Sequence, residues 1–316
     1  MDYPFCKGVS ALLDNLTHGL LGYAVYAASG IKGATKKERL GYAAAAVVGA
    51  EIPDIEGFTT FMGQEIYLTW HRAITHSLFF SPLMALLAVG IVALFNRSIH
   101  WGKAWLLAWV ATLTHLFSDW ANTWGTGLLE PFVGGRYSLG ILPIVDLIIL
   151  LIFACGFLMK RKYGRVRTFR GVWAALLLYV SLQAGHAAWL ESRLTGVEQT
   201  TPVAQLVPTQ YQLVAKDGDH FHYYAGSLFT GLRKIGESRS ESHPAVEKAL
   251  AADGEARALV RFLSSHGTEV EESATGYRVR FYDPRFRMQS PSLLSTQVIV
   301  PKESPKESSP PQTSDP

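Results

Sequence analysis

Long apolar runs fill the first part of the chain and are missing from the rest. The uninterrupted runs fall at residues 74–95, 104–120, 139–159 and 171–190. Each is close to the ~20 residues with which an α-helix crosses ~30 Å of hydrocarbon. Two weaker runs precede them, at 12–31 and 40–52. The pattern predicts a mainly α fold, a polytopic transmembrane bundle of about six helices.

Short alternating runs replace the apolar ones from about residue 195 onward. Tyr211–Lys216 and His220–Ala225 flank Asp217-Gly218-Asp219, which predicts a hairpin. Helices are predicted at 244–252 and 255–265, and Tyr277–Tyr282 alternates like a strand. We therefore expect a transmembrane domain over 1–194 and a small α+β soluble domain over 195–300. The segment 301–316 is mostly Pro, Ser, Lys and Glu and is predicted to be disordered.

Lysine and arginine are concentrated in alternate connections between the predicted helices. The connections at 32–39, 96–103 and 160–170 carry four, two and six of them, whereas 53–73 and 121–138 carry one each. Positively charged connections stay in the cytoplasm. The distribution predicts a multi-pass protein of the cytoplasmic (inner) membrane with its C-terminal domain outside the cytoplasm.

Net charge and cysteine content exclude several classes of protein. The formal charge of +3 is small and dispersed, so we predict no nucleic-acid partner. Two distant cysteines, Cys6 and Cys155, make neither a disulfide framework nor a thiolate metal site. The run at 12–31 follows Lys7 as a secretory leader would, but Asp14 and His18 are poor residues for a cleaved leader.

Histidine and aspartate recur inside or beside the apolar runs. An ionisable side chain at membrane depth is costly and tends to mark function. His115 and Asp119 are four residues apart, on one face of a helix, and can hold one ion together. His71 and His76 would diverge by roughly 140° on a continuous helix, so His71 is expected before that helix or in its first turn. The predicted orientation places the candidates at the outer leaflet: His18, Asp54, His71, His76, His115 and Asp119. Asp146 and His186 are predicted to lie at a similar depth.

Imidazole with carboxylate suits zinc, and also manganese or iron. The prediction is therefore a divalent metal, with zinc favoured, bound as one or two ions. Arg72 lies among these ligands and is suited to clamp a phosphate-like group. An interfacial arginine that extends its charge to water is the alternative. The connection 121–141 is rich in glycine and is expected at the rim of the site.

Four motifs together resemble a known family: Thr17-His18-Gly19, Pro53-Asp54, His71-Arg72-Ala73-Ile74-Thr75-His76-Ser77 and His115-Leu116-Phe117-Ser118-Asp119. They resemble the YdjM-like membrane-bound metal-dependent hydrolases, which are related to the zinc-dependent phospholipase C and single-strand nuclease superfamily. The resemblance implies that Asp54, His71 or His76, His115 and Asp119 hold a first ion. It further implies that His18 helps to hold a second ion, with Asp119 shared.

The resemblance implies metal-dependent hydrolysis of phosphoester or lipid-like substrates, with membrane lipids as partners. Asp54, Arg72 and Asp119 are the expected catalytic residues, the carboxylates orienting water. A membrane metal or proton transporter is one alternative, since intramembrane His and Asp also build ion paths. A non-catalytic membrane protein with a structural metal is the other.

Overall fold

The computed structural model describes residues 4–302 and the side chains from residue 14 onward. Its N-terminal part is helical. The helices are α1 (Pro4–Ser29), α2 (Lys36–Glu51), α3 (Gln64–Trp70), α4 (Ser81–Phe95), α5 (Trp101–Ala121), α6 (Leu147–Tyr163) and α7 (Arg165–Glu191). Two 3-10 segments, Ile52–Met62 and Ile74–His76, flank α3. The segment 303–316, predicted to be disordered, lies outside the described residues.

Small residues let α2 pack closely against α5. A methyl group built on Gly49 would lie 2.6 Å from the backbone of Ala108, so only glycine permits this approach. The Thr112 hydroxyl donates a hydrogen bond of 2.7 Å to the Gly49 carbonyl across the same contact. This packing brings the end of α2 level with the last two turns of α5, where His115 and Asp119 lie.

Two predicted helices begin later than their apolar runs. The run at 74–95 becomes helical only at Ser81, because the chain first forms the Ile74–His76 turn. The run at 139–159 becomes helical at Leu147, where the Asp146 carboxylate accepts hydrogen bonds from the amides of residues 148 and 149. That cap fixes the helix start at a position that hydropathy does not report. The predicted connection 53–73 is likewise ordered, since it holds Ile52–Met62 and α3.

The C-terminal domain contains two antiparallel sheets and two helices. The first sheet has the order β1-β2-β3-β4, with β1 (Gln199–Ala204), β2 (Gln210–Asp217), β3 (His220–Ser227) and β4 (Gly231–Arg239). The second has the order β5-β6-β7, with β5 (Gly267–Glu272), β6 (Gly276–Tyr282) and β7 (Ser295–Pro301). Helices α8 (Pro244–Ala252) and α9 (Gly254–Phe262) precede it. The predicted hairpin, helices and strand are confirmed.

This domain packs onto the helical part at several places. Leu68 of α3 is buried in one cluster with α8, α9 and the second sheet. The sequence pattern predicts a solvated face made by Arg278, Arg280, Arg285 and Arg287, and for Arg285 this prediction is wrong. Its side chain is buried, pairs with Asp283 at 2.6 Å and donates to the Thr123 carbonyl. A buried charge is retained where a partner compensates it.

Fewer than six of the described helices are long and apolar enough to cross a membrane on their own. Among the helices described for residues 4–302, α7 is the one that is long and apolar enough to cross alone. Gln64–His76 and Ser81–Phe95 meet the same criteria only together, and they are bent by 95°. Six long helices match the six predicted runs, but their number as spans stays a prediction.

Candidate metal centre

Side chains from three different segments meet at one point. One ligand atom from each of Asp54, His76, His115 and Asp119 lies within 4.8 Å of the others. The His76 Nε2 atom is 3.1 Å from Asp119 Oδ2, 3.4 Å from Asp54 Oδ1 and 3.1 Å from His115 Nε2. His115 Nε2 lies 3.7 Å from Asp54 Oδ1. The predicted convergence is confirmed for these four residues.

A second group shares Asp119 with the first. Asp14, His18 and Asp119 each offer a ligand atom within 4.8 Å of the others. His18 Nε2 lies 3.4 Å from Asp14 Oδ1 and 3.5 Å from Asp119 Oδ1. The His18 ring stacks on His115 with 3.8 Å between centroids. Each oxygen of Asp119 therefore faces a different group, as a carboxylate shared by two ions would.

Contacts made by Nδ1 orient the ligand atoms of His115 and His76. The Nδ1 atom of His115 lies 2.6 Å from the Ala50 carbonyl oxygen, which can only accept, so Nδ1 carries the proton. His76 Nδ1 lies 3.4 Å from Glu56 Oε1. Such outer contacts fix the tautomer of a metal-binding histidine and raise its basicity. Both rings thereby direct Nε2 into the four-residue group.

Glu56 contacts several parts of the site without belonging to either group. Its carboxylate accepts hydrogen bonds from the Arg72 amide and the Thr75 hydroxyl. His71 Nδ1 lies 3.3 Å from it. Burial raises the Glu56 pKa, but the charge of His76 and hydrogen bonds from His71 and His76 outweigh burial and lower it to about 2. Glu56 is therefore ionised. Of the two candidate histidines, His76 belongs to the four-residue group and His71 does not.

Arg72 is buried inside the site. Its Nη2 atom lies 3.1 Å from Asp119 Oδ1 and 3.6 Å from Asp14 Oδ2, and Nη1 donates to Asn122 Oδ1 at 2.9 Å. The residue has a φ of 57°, a left-handed conformation that is costly for a side-chain-bearing residue. Its carbonyl is held by the Gly127 amide at 2.8 Å and by Arg136 Nη1 at 2.7 Å. The connection 121–141 thus lies beside the site, as predicted.

The chemistry of these side chains fits divalent cations. Within the two ligand groups, four buried atoms have no hydrogen-bond partner: both ring nitrogens of His18 and both carboxylate oxygens of Asp119. Four carboxylates, those of Asp14, Asp54, Glu56 and Asp119, lie at the site, and the Arg72 guanidinium contacts two of them, Asp14 and Asp119. Burying such charge without compensation is strongly unfavourable. Bound cations would complete both the coordination and the charge balance.

Two acidic residues of the site, Asp14 and Glu56, are not among the ligands predicted from the sequence. Asp14 precedes His18 by four residues, the spacing that identified His115 and Asp119, so its signal was available. Glu56 has no such signal, because only the fold of Ile52–Met62 brings it to His71 and His76. Asp146, predicted at a similar depth, instead caps α6 and accepts a hydrogen bond from the Tyr179 hydroxyl at 2.7 Å.

As tryptophans next to apolar runs, Trp70, Trp120 and Trp124 are predicted to form an interfacial aromatic belt, but Trp124 instead joins the two parts of the chain. Its ring contacts His71, Phe262 of α9 and Phe286 at centroid distances of 6.4, 6.4 and 6.0 Å. His186, another residue predicted at this depth, packs on Tyr211 of β2 at 5.1 Å. Neither residue belongs to a ligand group.

Fold and site together define a class of protein: a largely helical one in which histidine and aspartate from separate segments converge into a cluster that could hold a metal ion. The chain belongs to the YdjM inner membrane protein family, which it matches over residues 13–190. It is also 22% identical to the uncharacterized protein YfhP of Bacillus subtilis (strain 168) over 250 residues, which cover 77% of this chain and 76% of that protein. No solved structure matches the chain significantly.

Proposed function

We propose that the protein is a metal-dependent hydrolase of the inner membrane, acting on phosphoester or lipid-like substrates. The observation that carries the proposal is the pair of ligand groups that share Asp119. Asp54, His76, His115 and Asp119 would hold one divalent ion, with zinc favoured, and Asp14, His18 and Asp119 a second. The chemistry that such ions supply is polarisation of a phosphoryl oxygen and acidification of water to a pKa of about 7.

Access to the groups supports a reaction rather than a closed structural site. The side chains of His76, His115 and Asp119 are fully buried, but that of Asp54 is 23% exposed and that of Asp14 is 19% exposed. A catalytic metal site keeps a position open for water or substrate. The open carboxylate of Asp54 is placed to orient a water molecule and take its proton.

Arg72 is suited to bind the anionic group of a substrate. Two of its nitrogens contact Asp119 and Asn122, and Nε has no hydrogen-bond partner among residues 14–302. A donor fixed beside the ligands can stabilise charge that develops on a phosphoryl oxygen. Exposed apolar residues of the neighbouring 3-10 segment, Phe58, Phe61 and Met62, favour a lipid-like substrate.

The six-span arrangement and the outward-facing site belong to this proposal. The alternation of Lys and Arg between connections supports an extracytoplasmic site and C-terminal domain. The dense positive segment, Lys160–Arg170, covers the end of α6 and the start of α7, at the far end of α7 from the C-terminal domain. A cytoplasmic Lys160–Arg170 segment and an extracytoplasmic C-terminal domain are therefore consistent with each other, because they lie at opposite ends of α7.

The test is metal analysis of the purified full-length protein beside hydrolysis of bis(p-nitrophenyl) phosphate and phospholipid. Asp119→Asn is expected to remove metal and to lower hydrolysis at least about 100-fold, since the amide is a poorer ligand and serves both groups. Asp217→Asn changes an exposed carboxylate in a turn and should alter neither. Arg72→Ala should keep the metal but slow hydrolysis by about 10²–10³-fold. Bound metal with no hydrolysis of either substrate contradicts the proposal.

A further inference from the structure

Exposed apolar side chains occupy two turns at one end of the four-stranded sheet. Leu206 and Val207 lie between β1 and β2, and Leu228 and Phe229 lie between β3 and β4. All four side chains are more than half exposed, and Phe229 is 88% exposed. We call these four residues the apolar turns. Exposed apolar residues gathered at one place indicate contact with a membrane or a partner.

Strand pairing puts the two turns at the same end of the sheet. Ala204 pairs with Tyr211, Gln210 with Ser227, and Ser227 with Gly231. The opposite end carries the β2–β3 turn, Asp217-Gly218-Asp219, where Asp219 pairs with Arg239 at 2.7 Å. Strands of eight residues separate the two ends by about 26 Å. One end of the sheet is therefore apolar and the other is charged.

The apolar end is the one that contacts α7. The Tyr211 hydroxyl donates to the Gln183 carbonyl at 3.2 Å and to the Ile141 carbonyl at 3.1 Å. Gln183 precedes the end of α7 at Glu191 by eight residues, which is about 12 Å along a helix. The sheet therefore contacts α7 about 12 Å before the end of this helix, which is apolar enough to cross a membrane.

Leucines of α7 at this depth are exposed. Leu178 and Leu182 are each 63% exposed, and Leu182 adjoins Gln183. In a membrane protein such leucines contact hydrocarbon, so the neighbouring sheet end lies at the level of the bilayer. Behind the apolar turns is a cavity of about 440 Å³ whose lining includes Gln205, Gln210 and Arg233. The apolar turns would contact the hydrocarbon layer of the membrane, and the polar and cationic residues of the cavity would contact the lipid headgroups.

We propose that the apolar turns insert into the leaflet of the membrane that α7 crosses, so that the C-terminal domain is attached to the bilayer at a second point. The occupant of this surface is lipid rather than another protein, because the Tyr211–Gln183 contact sets this end of the sheet at the level of the exposed leucines of α7. The proposal rests on the membrane location of the chain and not on hydrolysis. It leaves the Asp217–Asp219 turn in water.

Spin labels report the depth of each turn directly. In the full-length protein with Cys6 and Cys155 replaced by alanine, single cysteines are placed as Val207→Cys, Phe229→Cys and, as the control, Asp217→Cys. Each labelled protein is placed in nanodiscs of phosphatidylethanolamine and phosphatidylglycerol. Collisions with oxygen, which concentrates in hydrocarbon, are compared with collisions with a water-soluble nickel complex.

The expected result is that oxygen collisions exceed nickel collisions at 207 and 229, and that the order is reversed at 217. An aqueous ratio at 207 and 229 overturns the proposal. Low collision with both reagents at these positions also overturns it, because the turns would then be covered by protein. Native circular dichroism and a single gel-filtration peak for each labelled protein ensure that the comparison concerns the folded state.

Discussion

At the scale of single residues, Glu56 connects the metal ligands to the fold. It contacts His76 and His71 and accepts hydrogen bonds from Arg72 and Thr75, all from a segment that follows it in sequence. Because it orients His76 without being positioned to coordinate, Glu56 is a positioning residue. Its carboxylate makes the His76 ring a stronger ligand than an unpartnered imidazole would be.

Glu56→Gln should therefore weaken metal binding by about 10–100-fold. The amide loses the negative charge and presents a donor toward groups that also donate. Competition with a chelating dye measures the affinity for metal. Glu247→Gln, at an exposed position of α8, is the control. Unchanged affinity in Glu56→Gln would mean that the carboxylate serves only the fold of the 52–76 segment.

The buried pair of Arg285 and Asp283 has its effect at the contact between domains. Removing one member of a buried ion pair typically costs about 3–5 kcal/mol, because the other charge is left without compensation. Arg285→Ala should accordingly lower the unfolding temperature of the C-terminal domain, followed by circular dichroism in detergent. Arg278→Ala removes an exposed arginine paired with Glu271 and should have little effect. Equal effects of the two changes would contradict the importance of the buried pair.

At the scale of elements, Gly140 shows how tightly β1 lies on the helical part. Its φ is +62°, and a methyl group built on it would lie 1.9 Å from the Pro202 carbonyl oxygen. The Ala204 amide donates to the Gly140 carbonyl at 2.9 Å in the same contact. Neither the conformation nor the space admits a larger residue.

Gly140→Ala should destabilise the fold by more than the ~1–2 kcal/mol that a left-handed residue costs, since the clash adds to it. Gly171→Ala is the matched control, because Gly171 lies within α7 with nothing within 4 Å of an added methyl group. A helical glycine replaced by alanine usually gains ~0.5–1 kcal/mol. Thermal unfolding of both variants in the same detergent compares them. A fall in Gly171→Ala as large as in Gly140→Ala would point to a general intolerance of substitution.

Helix existence was predictable from apolar runs, but several helix boundaries were not. The run at 139–159 contains Asp146, and hydropathy cannot show that its carboxylate caps a helix that begins at Leu147. The residues of the site likewise divide into those that the sequence predicts and those that it does not. His115 and Asp119 were predictable because four residues bring side chains to one helix face. Glu56 was not, since tertiary packing alone brings Ile52–Met62 against His71 and His76.

At the scale of the whole molecule, the direction of the chain in the membrane decides where the site acts. Reporter fusions after Lys162 should behave as cytoplasmic, and fusions after Leu194 as extracytoplasmic, because positive connections stay inside. Alkaline phosphatase and green fluorescent protein give opposite signals on the two sides. A cytoplasmic C-terminal domain would contradict both the orientation and the outward-facing site.

The charge of Arg72 affects whether the protein can fold before it binds metal ions. A zinc finger has no folded state until its ion arrives. Here a guanidinium 3.1 Å from Asp119 already neutralises part of the charge at the shared ligand. We therefore expect the chain to insert and fold first and to acquire its ions afterwards, on whichever side of the membrane supplies them. The cell could then control when the protein becomes active through metal supply instead of synthesis.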